Sequence, residues 1–157
     1  TYENGAQHVL LNGEDVSSEI RTPEIAYYAS RVSAVPEVRE FLLNTQRDMA
    51  KNGNILMDGR DIGTVILPDA PVKIFLTASA ESRAERRYKE LAEKGQQVTM
   101  ESVLHDINER DRQDMNRAIA PLRQAEDAVL LDTSALTLEE SIASVLRIIR
   151  EKTEENK

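Results

Sequence analysis

Apolar and polar positions along the chain follow two different periods, and the switches between them mark the elements. In "HVLLNGEDV" apolar residues flank Asn12-Gly13, the strongest short-range signal for a tight hairpin. "RTPEIAYYASRVSAVP" supplies a helix start with Thr22 as N-cap, Pro23 in the first position and Glu24 in the first turn, closed by Pro36. A second helix restarts at Pro36 and stops at Gly53, with Val38, Phe41, Leu42 and Met49 at helical spacing. "NILMD" reads as a short strand and "VKIFLTAS" as a second, buried one. Ser79 caps a helix over "AESRAERRYKELAEKG" that ends at Gly95 and looks charged all round, the pattern of a solvated arm or a mobile lid. Thr99 caps the next helix through "MESVLHDINERDRQDMNR", and "AVLLD" reads as a third strand. Thr137 and Glu140 form a capping box for the last helix, "LEESIASVLRIIREK", and the tail "TEENK" is expected to fray. Strands alternating with helices predict an α/β fold with a parallel sheet, although three core strands are few for such a sheet.

Composition narrows the class. The 157 residues are 40% hydrophobic and 31% charged, enough for one soluble domain with a core. No apolar run approaches 18 residues, so no membrane contact is expected, and no signal peptide is visible at the first residues. The absence of Cys removes disulfides and thiolate metal sites and agrees with a cytoplasmic setting. A net charge of −8 argues against a nucleic-acid partner, which needs a basic face. Arginine is nevertheless clustered, with Arg83, Arg86 and Arg87 in one segment and Arg110, Arg112 and Arg117 in another. That distribution suits a small anionic ligand, because a guanidinium matches phosphate bidentately.

Charge placement raises the candidate chemistry. "ILMDGRDIG" sets Asp58, Arg60 and Asp61 directly after an apolar run, at the edge where α/β proteins bind ligands. An Arg–Asp pair capping a strand-to-loop turn would look the same. Arg83 and Arg87 share a helix face with Arg86 beside them, yet the interleaved Glu81, Glu85 and Glu90 also fit surface ion pairs worth about 0.3–0.5 kcal/mol each. Arg110, Asp114 and Arg117 fall at i, i+4 and i+7, one helix stripe that fits either a surface pair or two anion donors with a carboxylate fixing their rotamers. Taken together, the three Arg-bearing segments point to phosphate recognition and phosphoryl transfer, which relies on charge stabilisation more than on covalent chemistry. No G-x-S-x-G occurs to support a nucleophilic serine.

The segments "DGRDIGTVILPDAPVKIFLTAS", "RAERRYKEL" and "INERDRQDMNRAIAPL" closely resemble those of bacterial cytidylate kinases, the nucleoside monophosphate kinases acting on CMP and dCMP. The resemblance runs from about Asn12 to the last helix, and "GEDVSSEIRTPEIAYYASRVSAVPEVRE" is similar to the insertion that distinguishes the bacterial enzymes. It implies a P-loop kinase-like parallel sheet with helices on both faces, residues 1–35 belonging to the CMP-binding insertion and 36–157 to the core, with a lid at about 82–96. By resemblance, Ser30 and Arg39 recognise cytosine, Arg110 and Asp114 hold the pentose, and Arg60 and Arg117 hold the CMP phosphate. Asp61 then supports base and arginine placement, Arg86 and Arg87 close over ATP, and Asp58 orders Mg²⁺ through water. Arg60, Arg86, Arg87 and Arg117 are thereby the catalytic set, with ATP and CMP or dCMP as partners and a monomer as the assembly.

One departure is plain. Kinases of this kind carry a G-x-x-x-x-G-K-[ST] loop for the ATP phosphates, and no Gly-Lys dipeptide occurs in the 157 residues. The expectation is therefore a C-terminal portion, lacking the N-terminal strands and P-loop and inactive alone, with strand exchange open to it. A non-catalytic nucleotide-binding fragment and a kinase for another small acceptor, such as UMP or shikimate, remain as competing readings.

Overall fold

A computed structural model describes residues 1–3, 5–51 and 53–155. The chain divides into two units, Thr1–Asn44 and Thr45–Lys157.

The first unit opens with two small antiparallel hairpins. Strands β1 (Tyr2–Glu3) and β2 (Ala6–Gln7) pair Tyr2 with Gln7 and Glu3 with Ala6. The sequence carries a cue for this hairpin in Asn4-Gly5, but almost no apolar alternation flanks it. Strands β3 (Leu10–Leu11) and β4 (Glu14–Asp15) pair as the hairpin predicted at Asn12-Gly13. Both turn residues have positive φ, 54° at Asn12 and 91° at Gly13, the twist that matches paired strands. A 3₁₀ turn over Glu19–Arg21 leads to helix α1 (Pro23–Val32), where the Thr22 hydroxyl accepts from the Ile25 N–H at 3.3 Å. Helix α2 (Pro36–Lys51) begins in this unit and continues into the second. Among the described residues of the first unit none is buried, and Tyr28 and Phe41 stand 54% and 78% exposed.

The second unit holds the parallel sheet. Strands β5 (Ile74–Thr77) and β6 (Val129–Asp132) run parallel, in register from Ile74 opposite Val129 to Thr77 opposite Asp132. Helix α3 (Ala80–Glu93) is capped by the Ser79 side chain, and helix α4 (Met100–Asn116) by a reciprocal pair between Thr99 and Ser102. Gly95, at φ 72°, ends α3: Gly95 N–H bonds to Ala92 O and Gln96 N–H to Leu91 O, satisfying two of the last carbonyls. Helix α5 (Leu138–Glu155) starts from the predicted box, with Thr137 N–H on the Glu140 carboxylate at 2.8 Å and Glu140 N–H on the Thr137 hydroxyl at 3.2 Å.

Three expectations need correction. "NILMD" forms no strand: residues 54–58 are irregular, and Ile55 and Leu56 are 44% and 89% exposed. A strand exists only as a paired ladder, and among the described residues none pairs with this segment, so its β-prone side chains have nothing to pack on. Helix α3 is not charged all round. Ala84 and Leu91, two turns apart on one face, are buried against Val103 of α4, flanked by Val98, Leu104 and Ile107. The tail does not fray at Thr153: α5 continues to Glu155, with the Thr153 hydroxyl donating to Ile149 O and Arg150 O, while Asn156 and Lys157 lie outside the described residues.

Candidate functional site

The segment after residues 54–58 bends at Gly59. A side chain on Gly59 would meet the Ile62 Cγ1 and Cδ1 atoms at 2.8 Å, so any larger residue there would displace the Ile62 side chain. Arg60 and Asp61 follow, and a wide turn of π type spans Ile62–Ile66. The Asp61 carbonyl accepts from the N–H groups of Thr64, Val65 and Ile66 at 3.3, 2.9 and 3.3 Å, which fixes Asp61 at the head of the turn. Single π turns recur at functional sites because they redirect a side chain without ending the local helix.

Helix α4 supplies the other half. Asp114 is 4% exposed, and its carbonyl receives Leu122 N–H at 2.8 Å, which folds the chain after α4 back along the helix end. Arg60 Nε lies 3.0 Å from Asp114 Oδ2. Arg117, just past the last turn, places Nη1 3.8 Å from Asp114 Oδ1 and Nη2 3.8 Å from Asp61 Oδ1. Its Nε donates to Ala120 O at 2.7 Å, and Ala120 takes a φ of 49° that a non-glycine residue adopts only when held. The Arg60 contact with Asp114 is a charge contact without hydrogen-bond alignment and Asp61 lies beyond hydrogen-bond reach of Arg117, so Asp114 Oδ2 and Arg117 Nη2 are buried atoms lacking a hydrogen-bond partner.

Arg110 completes the group. Burial pushes its guanidinium down from the usual value, Arg60 adds like-charge repulsion and Arg87 a smaller share, while Asp114 and Asp111 oppose the shift. Arg60, Arg110 and Arg117 thus share two carboxylates, Asp61 and Asp114, and the cluster carries a positive excess. Chemically this is a socket for an anion: arginines with rotamers fixed from behind by carboxylates, and one buried donor still to be satisfied.

The arginines of α3 are placed differently. Arg83 makes a bidentate pair with Asp111 of α4 at 3.1 and 2.6 Å and donates to Ala78 O, joining α3 to α4. Arg86 donates to Thr133 O at 2.5 Å and to Leu136 O at 3.4 Å, beyond the carboxyl end of β6. Arg87 pairs with Glu90 at 2.7 Å on its own helix, and that carboxyl is held below its usual range first by Lys94 and then by Arg87. Asp58 is exposed, and among the described residues no three His, Cys, Asp or Glu side chains converge to hold a metal.

In the first unit, Ser30 and Arg39 are joined through Ser33. Ser33 Oγ donates to Ser30 O at 2.8 Å, and Arg39 Nη1 donates to Ser33 O at 3.1 Å. Arg47, in the part of α2 that belongs to the second unit, was not singled out by the sequence. Its Nε donates to Ile66 O at 3.0 Å and its Nη2 to Val65 O at 2.9 Å. No local spacing announces it, because its partners are distant backbone carbonyls.

A family model for cytidylate kinase matches residues 1–151. The chain belongs to the cytidylate kinase family. It is 54% identical over 152 residues to the cytidylate kinase of Thermosipho melanesiensis, covering 97% of this chain and 69% of that protein. The cytidylate kinase of Caldicellulosiruptor saccharolyticus is 54% identical over 144 residues, covering 92% of this chain and 64% of the relative. That of an Enterobacter species is 53% identical over 149 residues, covering 95% and 66%. The chain therefore spans about two-thirds of the length of the cytidylate kinases it matches. Family membership agrees with the α/β architecture and the parallel sheet, and no described helix is long and apolar enough to cross a membrane.

Proposed function

We propose that this chain carries the monophosphate site of a cytidylate kinase, an enzyme moving the γ-phosphoryl group of ATP to CMP or dCMP to give CDP or dCDP. The observation that carries the reading is Arg117 Nη2: a buried guanidinium nitrogen without a hydrogen-bond partner, inside a cluster with positive excess. A phosphate oxygen supplies the missing acceptor and relieves the repulsion on Arg110. Arg60 and Arg117 hold the CMP phosphate, Asp61 and Asp114 hold those arginines in place, and Arg110 with Asp114 meets the pentose. Ser30 and Arg39 read the cytosine.

The catalytic roles follow from charge. In-line transfer needs the attacking phosphate oxygen aimed and the moving phosphoryl group surrounded by positive charge. Arg60 and Arg117 aim the acceptor. Arg86 and Arg87, on the proposed lid of residues 82–96, face the donor side, which requires both to exchange their present partners. Mg²⁺ accompanying ATP would screen the donor phosphates, with Asp58 as its contact through water. The N-terminal strands and P-loop of such an enzyme lie outside these residues, and the chain alone is a binding portion without turnover. The proposed setting is a monomeric, cytoplasmic enzyme.

Calorimetric titration of the chain with CMP and with cytidine tests the reading. Binding of CMP well above cytidine, with the difference removed by Arg117→Ala, is the expected result. Equal binding of the two ligands, or equal losses in the variant, would remove Arg117 from the phosphate site.

A further inference from the structure

We propose that Arg47 is a positioning residue for the phosphate site, setting Asp61, and through it Arg117, from behind the π turn. This inference rests on the phosphate reading above. The turn over Ile62–Ile66 closes with Leu67 N–H on Ile62 O at 2.7 Å, which leaves the Val65 and Ile66 carbonyls at its far end without turn partners. Ile66 is 4% exposed, so its carbonyl must be satisfied within the protein. Arg47 satisfies both carbonyls, through Nε on Ile66 and Nη2 on Val65.

The same turn begins at Asp61, whose carbonyl gathers three of its N–H groups. The turn is thus pinned at one end by Arg47, and at the other it fixes the backbone of the carboxylate 3.8 Å from Arg117 Nη2. The planar fork of Arg47 engages two successive carbonyls at once, which a single ammonium does not reproduce. Among the described residues Arg47 bonds to the Ile66 and Val65 carbonyls and to neither Asp61 nor Arg117, so its effect passes through the turn.

The test is Arg47→Lys in the full chain, which keeps the charge and removes the fork. Amide hydrogen exchange at Val65 and Leu67 should accelerate while amides of α5 keep their wild-type rates. CMP affinity should fall roughly tenfold, the scale of one charge-assisted contact, with cytidine affinity unchanged. Unchanged exchange in the turn would overturn the proposal, as would equal weakening of CMP and cytidine. A role confined to general stability would speed exchange in α5 as well, and that result also overturns it. Should the variant not fold, the wild-type chain still decides: the Arg47 Nε–H resonance should shift when CMP fills the site, and a resonance that ignores CMP sinks the idea. Wild-type chain that binds no CMP would refute the phosphate reading, while the exchange arm still reports on Arg47 and the turn.

Discussion

Arg60 Nε sits 3.0 Å from Asp114 Oδ2, joining a loop that follows an irregular segment to the last turn of α4. The carboxylate is almost completely buried, with its side chain 5% exposed, whereas the arginine is 40% exposed. Asp114 therefore depends on its arginines more than they depend on it. Its other oxygen lies 3.8 Å from Arg117 Nη1, so one carboxylate stands between two guanidiniums.

Replacing that carboxylate separates structure from binding. Asp114→Asn removes one of the two carboxylates that stand 3.8 Å from the buried guanidinium of Arg117, leaving Asp61 as the remaining counter-charge among the described residues. Breaking one side of an interior pair costs about 3–5 kcal/mol, and the exposure of Arg60 puts this site at the lower end. Urea denaturation should show a midpoint shifted down at unchanged slope. A double variant, Asp114→Asn with Arg117→Ala, should lose less than the sum of the singles, because removing both leaves no orphaned charge. Additive losses would mean the two side chains are not coupled.

Acid acts on a different group, and late. The Ser17 hydroxyl, then His8, and then the Ser17 N–H hold the Asp15 carboxyl far below its ordinary value of 3.8. Because the folded-state pKa is depressed, the stabilisation is fully present above the ordinary value. It is lost as pH falls through the strongly acidic folded-state value. The β3–β4 hairpin should therefore keep its pairing through mildly acidic pH and open only below the usual carboxylate range. Following the Asp15 carboxyl carbon by NMR as acid is added checks this: titration near 3.8 would show that the three contacts do not hold in solution.

How much of this was legible follows from what each element depends on. The Asn12-Gly13 turn, the Thr22, Ser79 and Thr99 caps and the Thr137–Glu140 box are local chemistry, and all formed as read. The stripe of Arg110, Asp114 and Arg117 was visible as spacing, but spacing did not say that Asp114 is buried or that Arg60 arrives from another segment. Residues 54–58 failed as a strand because pairing is not local. Arg47 was invisible because a helix arginine bonding to distant carbonyls leaves no pattern. The Ala84 and Leu91 stripe was masked by the charges around it, since nine of the fourteen α3 residues are charged or Ser.

Cytosine discrimination should reside in the first unit. Ser30 and Arg39 are joined through Ser33 on the α1-to-α2 connection, which gives the arginine a fixed starting direction. Cytosine and uracil differ in an exocyclic amino group against a carbonyl, so a site made for one leaves a polar group unpaired with the other. Ser30→Ala should bring the CMP and UMP affinities closer by roughly tenfold while leaving the contribution of the phosphate intact. Competition binding of CMP, UMP and inorganic phosphate measures both at once. Unchanged discrimination would move base recognition away from Ser30.

Turnover should be absent from the chain alone. The arginines proposed for the monophosphate cluster together, but phosphoryl transfer also needs the donor phosphates held in line. In P-loop kinases that task belongs to backbone N–H groups and the lysine of a G-x-x-x-x-G-K-[ST] loop, and these 157 residues contain no Gly-Lys pair. The remaining donor-side candidates are committed elsewhere, Arg86 to the Thr133 and Leu136 carbonyls and Arg87 to Glu90. Loss of a single preorganised donor lowers kcat by about 10²–10³, so a missing cradle should reduce transfer to a trace. ADP release coupled to NADH oxidation, with ATP and CMP both present, gives the measurement. Adding a polypeptide with the P-loop segment of a matching cytidylate kinase should restore release, and Arg60→Ala should abolish what is restored. Steady turnover by the unaided chain would instead mean that Arg86 and Arg87 leave their carbonyl and carboxylate partners and hold ATP without a P-loop.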